Sequence, residues 1–256
     1  MPAYYIGCSG FSYRDWKGVF YPEGLPPRKW FAYYCTQFNT LEVNVTFYRM
    51  PKLKVFETWN TQSPADFRFA VKAPRIVTHY KKFNAEAAHV LADFYGTVRE
   101  GLGEKLGPIL FQLPPKAAYT EELLGRMLEQ LDPDFHNVVE FRHPSWWEGE
   151  ILRELGQRGI TFCGQSYPAA LPDEVIVNTP QVYYRFHGVP VLYTSPYDEA
   201  FLQRVAQEIQ AEPTVKEVYI YFNNGIGGAG VLNAQQLQKL LNVAPASSAN
   251  PTLEAN

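Results

Sequence analysis

Two glutamates stand near the ends of short apolar runs. Glu42 lies in Phe38-Asn39-Thr40-Leu41-Glu42-Val43-Asn44, and Glu140 in Val138-Val139-Glu140-Phe141-Arg142-His143. Cations recur at the same place in other runs: Lys72 after Phe69-Ala70-Val71, Arg142 two residues past Glu140, and Arg185 with His187 closing Val182–His187. A carboxylate beside a cation stays ionised, as a general base must, while Lys or Arg can stabilise developing negative charge. Glu140 is the expected principal base, because Arg142 shares its strand face; Glu42, Lys72 and His187 are the further catalytic candidates. Lys72, Arg142 and Arg185 against two carboxylates favour a small anionic substrate, phosphorylated or sugar-like. Arg142 and Arg185 would grip it, and Gln112, Asn44, Asn223 and Asn224 would supply hydrogen bonds. The competing reading is a buried lattice of ion pairs that neutralises itself.

Two loops could add to such a site. Phe11 to Pro27 is unusually aromatic, so Tyr13 or Trp16 could stack on a sugar ring or a base, or the loop could pack as a plug. Asn223 to Gly230 is glycine-rich, and its backbone N–H groups could hold a phosphate or simply make a turn. There is no HExxH, HxH or Cys cluster, so neither a metal ligand set nor a cofactor is expected. A divalent ion shared by Glu42, Glu140, His143 and His187 is the alternative, and with it phosphodiesterase or nuclease chemistry. A third reading is a barrel that binds a ligand or nucleic acid without turnover. Cys8 and Ser9 lack a motif that would activate either as a nucleophile.

These residues need a scaffold, and the chain supplies eight strand-like runs: 4–8, 38–44, 67–72, 109–113, 138–142, 160–165, 182–187 and 217–222. Seven helical stretches alternate with them, over 27–35, 51–61, 85–100, 120–131, 146–157, 198–209 and 233–241. Residues 74–82 read as loop, and no convincing helix follows the sixth run. That count predicts an α/β fold of the TIM (β/α)₈ type lacking one regular helix, and no GxGxxG follows the first strand to argue otherwise. Side chains alternate along a strand. One parity is wholly apolar (Leu41 and Val43, Phe69 and Val71, Ile109 and Phe111, Val139 and Phe141, Tyr184 and Phe186, Ile220 and Phe222). The other turns polar only toward the strand's C-terminal end, the face where active sites of this fold sit. Ser145 with Glu148 fits a capping box opening the fifth helix at Trp146, and Thr120 can cap the fourth.

The chain of 256 residues, 46% hydrophobic, suits one domain over 1–242, with a polar, Pro-containing tail over 243–256 expected to be disordered. A net charge of −3 argues against bulk attraction to nucleic acid or anionic membranes. Cys8, Cys35 and Cys163 form an odd, widely spaced set, which suits a reducing compartment. No signal peptide and no membrane span is legible, so a cytoplasmic location is expected. The sequence leaves the oligomeric state open.

GCSGFSYRDWKGVFYP, FNTLEVNVTFYRMP, FRFAVKAPRIVTH, LGPILFQLPP, VVEFRHPSWW, YYRFHG and YIYFNN resemble, in order, the signature blocks of the YecE-like family (domain of unknown function 72). The resemblance covers nearly the whole chain to about Leu241. It implies a TIM barrel and no particular activity; the family's loose relation to sugar isomerases rests on fold alone.

Overall fold

Short runs rich in β-branched and aromatic residues form eight strands. They are β1 (Ala3–Cys8), β2 (Thr40–Val43), β3 (Arg68–Lys72), β4 (Leu106–Gln112), β5 (Asn137–Glu140), β6 (Thr161–Ser166), β7 (Gln181–Phe186) and β8 (Glu217–Phe222). The computed structural model describes residues 2–243. All paired strands are parallel, in the order β1-β8-β7-β6-β5-β4-β3-β2. The helices are α1 (Trp30–Gln37), α2 (Val45–Tyr48), which sits at the mouth, α3 (Leu53–Gln62), α4 (Ala88–Leu102), α5 (Glu121–Gln130), α6 (Gly149–Gln157), α7 (Glu199–Gln210) and α8 (Ala229–Leu240). β6 passes to β7 without a helix, as the sequence indicates. The expectation of a disordered tail falls on residues 244–256, outside those described.

The remaining seam, between β1 and β2, closes by a different device. One parallel bridge pairs Ser9 with Glu42, and Gly10 N–H donates to Glu42 O at 3.0 Å. Below it the Tyr34 hydroxyl accepts from Cys8 N–H (2.8 Å) and donates to Thr40 O (3.0 Å). Asn39 Nδ2 donates to Tyr4 O at 2.8 Å. Side chains thus satisfy backbone groups that a ladder would otherwise pair. Gly7 permits the approach, since a Cβ there would lie 2.4 Å from Thr40 O.

The alternation separates two cores. The apolar parity packs outward under the helices, where Phe69, Phe111, Phe141, Phe186 and Phe222 join one large cluster. The inner parity forms a second cluster of Ala70, Leu110, Val138, Cys163, Tyr183, Tyr219 and Tyr221. Two residues further on, each of five strands turns polar: Lys72, Gln112, Glu140, Gln165 and Arg185. The barrel is therefore floored by apolar and tyrosyl side chains and topped by a polar layer.

Helix boundaries differ from the sequence reading in three instructive places. Ser145 does not cap a helix at Trp146, because its Oγ is bonded to Tyr119 N–H and His143 Nδ1, both at 2.8 Å. Pro144–Trp146 makes a single 3₁₀ turn, and α6 begins only at Gly149. α8 begins a turn before Asn233, because Gly227 and Gly228, with φ of 74° and 83°, make the tight turn that leads into it. Within 74–82, Ile76–Tyr80 coils into one wide π turn. Thr120 does cap α5, its Oγ1 accepting from Leu123 N–H at 3.1 Å.

Candidate active site at the barrel mouth

The polar layer is organised around Arg185. From β7 its Nη1 reaches Glu140 Oε2 at 2.5 Å, and its Nη2 reaches Glu42 Oε1 at 2.7 Å. Arg142 Nε donates to the other Glu140 oxygen at 2.7 Å. Glu42 also accepts from Ser9 Oγ (2.5 Å), Tyr183 hydroxyl (2.6 Å) and Asn44 Nδ2 (3.0 Å). Glu42, Glu140 and Arg185 are essentially without solvent contact. Burial alone would raise both carboxyls. For Glu42 the Arg185 guanidinium and the two hydroxyl donors outweigh it, and for Glu140 the Arg185 and Arg142 charges do, holding it well below the carboxylate range.

Above this network lies a cleft of about 280 Å³, walled by Lys72, Arg142, Arg185, Asn44, Asn223 and the aromatic rings of Tyr13, Phe47, Tyr48 and Tyr193. Lys72 differs from the two arginines in having no carboxylate partner. Its Nζ donates to Gln112 Oε1 at 2.8 Å and sits 4.1 Å from the Phe47 ring centre. Gln112 Nε2 is tied to Leu113 O at 2.6 Å, which fixes the amide with its oxygen toward the lysine. Burial first and Arg185 second pull the Lys72 amine down to about 7. Arg185 Nε and Asn44 Oδ1 find no hydrogen-bond partner in the protein.

A family model described as "Protein of unknown function DUF72" matches residues 5–255. The chain belongs to the DUF72 family. The UPF0759 protein YecE of Escherichia coli (strain K12) is 32% identical over 162 residues, 61% of this chain. That match spans 56% of YecE, little more than half its length. The UPF0759 protein YunF of Bacillus subtilis (strain 168) is 23% identical over 93% of this chain and 95% of its own. Among solved structures, the DUF72 family protein TM1631 of Thermotoga maritima MSB8 superposes with a TM-score of 0.84 at 31% identity, covering 94% of this chain and 99% of that one. A DUF72 family protein of Enterococcus faecalis V583, 20% identical, shares the fold with a TM-score of 0.81, covering 94% and 96%.

In this DUF72 barrel the other residues expected at the site take varied places. His187 is fully buried, and burial lowers its pKa to about 3. Asn223 Nδ2 approaches its Nδ1 at 3.1 Å and can only donate, so the neutral ring carries its hydrogen on Nε2, 3.5 Å from Glu140 Oε1. Tyr13 lines the cleft and donates to Ser9 O at 2.6 Å. Trp16 does not: it is fully buried, its indole N–H bonded to Gly225 O at 2.6 Å, so the aromatic loop packs as a plug at that residue. Asn224 is turned away too, donating to Ser195 O at 3.0 Å.

The glycine-rich loop spends much of its backbone internally. Gly227 N–H meets the Asp15 carboxylate at 2.5 Å, and Ile226, Gly228 and Gly230 donate to Tyr193, Gly225 and Asn224 carbonyls. An acidic side chain of the first loop therefore stands where a phosphate was expected. His143 is bonded to Ser145 beside the mouth. Among the described residues no group of three or more His, Cys, Asp or Glu is placed to hold a metal ion. No helix among them is long and apolar enough to cross a membrane.

Ser9 and Tyr183 enter the site as carboxylate donors that residue type alone did not reveal. Tyr183 shares the parity of Arg185, two residues on, and that spacing was the available signal.

Proposed function

We propose that this protein is an enzyme that binds a small anionic, phosphorylated or carboxylated substrate in the mouth cleft and turns it over by acid/base chemistry centred on Lys72. The observation that carries this reading is the unequal pairing of the three cleft cations. Arg142 and Arg185 are held by Glu140 and Glu42, whereas Lys72 meets only an amide oxygen. An amine that titrates near neutrality can both take and give a proton under working conditions. The two glutamates then act as positioning residues: they fix the guanidinium groups of Arg142 and Arg185, two residues that line the cleft. Glu140, with both oxygens engaged and its proton affinity depressed, is a poor general base in this arrangement.

Inorganic phosphate in low-salt buffer tests the binding half. At pH 6.5 Lys72 is largely protonated, and phosphate at 100 times its dissociation constant should stabilise the native state by about 2.7 kcal/mol, read as a rise in melting temperature. The rise should shrink toward pH 8.5 as Lys72 loses its charge, and should be weaker in Lys72→Met. Wild-type protein with no phosphate-dependent rise at pH 6.5 would overturn the reading.

A further inference from the structure

The arrangement around Lys72 goes further than proton transfer. Other candidate nucleophiles of the strands and their ends are spent or enclosed: Ser9 Oγ donates to Glu42, and the Cys8 and Cys163 thiols are buried. Lys72 Nζ faces the cleft, with the Phe47 ring on one side and the fixed Gln112 amide on another. The guanidinium groups of Arg142 and Arg185 line the same cleft and keep their charge at any working pH. An amine placed beside permanent cations, with no carboxylate to hold it protonated, has a free lone pair near neutrality, which is how lysines become covalent nucleophiles.

We propose that Lys72 forms an imine with an aldehyde or ketone substrate whose phosphate or carboxylate is held by Arg142 and Arg185. The inference rests on the anion-binding reading of this cleft and adds the carbonyl group. The Nζ lone pair attacks the carbonyl carbon, a C–N bond forms, and the C=O π pair moves to oxygen to give a carbinolamine. Both hydrogens of the neutral amine leave with that oxygen as water, and the C=N bond takes one proton from solvent to become an iminium. No oxidant or reductant is needed. Such an iminium draws electrons from the bonds next to the former carbonyl carbon, the basis of amine-catalysed C–C and C–H cleavage. Arg142, Arg185, Glu140, Glu42 and the neighbouring His79 are the charged and titratable groups acting on Lys72; the first two oppose its protonation and the carboxylates favour it.

Reductive trapping tests this. Wild-type protein is incubated at pH 7 with pyruvate or with dihydroxyacetone phosphate and sodium cyanoborohydride, whose hydride adds to the iminium carbon and leaves a stable secondary amine. Peptide mass mapping should find the probe's mass less one oxygen on Lys72. Labelling there should run about tenfold or more ahead of any exposed lysine, since exposed amines titrate near 10.4. Labelling by one probe and not the other assigns the anion as carboxylate or phosphate. The Lys72 rate should climb between pH 6 and 8 and then level, while exposed lysines keep climbing. Lys72→Arg, which keeps the positive charge, should retain the phosphate-dependent rise in melting temperature and lose the trapped adduct at that site. Label spread evenly over the lysines, or none at Lys72 with either probe while phosphate still stabilises the protein, would overturn the imine and leave the anion site standing. Loss of the phosphate effect itself in wild type would instead remove the reading beneath it.

Discussion

Glu140 gathers two guanidinium groups and an imidazole around one buried carboxylate, so its charge should matter to the fold. Glu140→Gln keeps the shape and leaves Arg185 and Arg142 facing a neutral amide. Breaking one partner out of a buried pair costs about 3–5 kcal/mol, which urea denaturation at pH 7 should register. The sign with pH follows from the depressed folded-state value. Protonation of the unfolded chain sets in near 4.5, so the contribution is fully present above that and is lost as pH falls through the lower folded value. The gap between wild type and variant should therefore be flat from pH 5 to 8 and narrow below about pH 4. Equal stability of the two proteins at pH 7 would sink the network's structural role. Parity in the sequence was enough to place Glu42, Lys72, Gln112, Glu140 and Arg185 on the inward face. It could not say who pairs with whom, because that depends on stagger between strands. Glu42 lies in register with Ala70, so Lys72 stands two residues beyond Glu42 on the neighbouring strand, while Glu140 is level with Gln112 on the far side of β4.

Between β1 and β2 the Tyr34 hydroxyl does part of the work of ladder hydrogen bonds. Tyr34→Phe removes it and leaves Cys8 N–H and Thr40 C=O buried without that partner, at a cost of about 1–3 kcal/mol. Amide hydrogen exchange should show faster exchange at Cys8 while β5 and β6, on the far side of the barrel, keep their protection. Unchanged exchange at Cys8 would mean the seam is held by other contacts. No local pattern in residues 30–37 announces this role, since a tyrosine on an amphipathic helix reads as ordinary core. Strand and helix identities were legible because their periods are local. The start of α6 was not, because Ser145 found partners at Tyr119 and His143 in place of its own helix.

Cys8, Cys35 and Cys163 sample β1, α1 and β6, and all three thiols are buried, with burial pushing each well above its ordinary pKa. A thiol-specific chromogenic reagent should therefore find none of them in the native protein at pH 8. All three should appear together, at the urea concentration where tryptophan fluorescence reports global unfolding. A thiol that titrates in native buffer would show that the barrel opens locally. Eight strand-like runs made the barrel foreseeable; the way it closes was not, because closure joins residues far apart in sequence. That distance has a consequence in time. β1 is the first strand of this barrel to be synthesised, and its ladder partner, β8, begins only at Glu217. The first strand must wait through synthesis of most of the barrel with one edge unpaired, whereas β7, which ends at Phe186, waits only for the segment that leads to β8. A chain released before Glu217 offers two open parallel edges to its neighbours and no finished mouth. Manufacture of this barrel is thus all or nothing: shortened products are material for chaperones and proteases, never partial barrels.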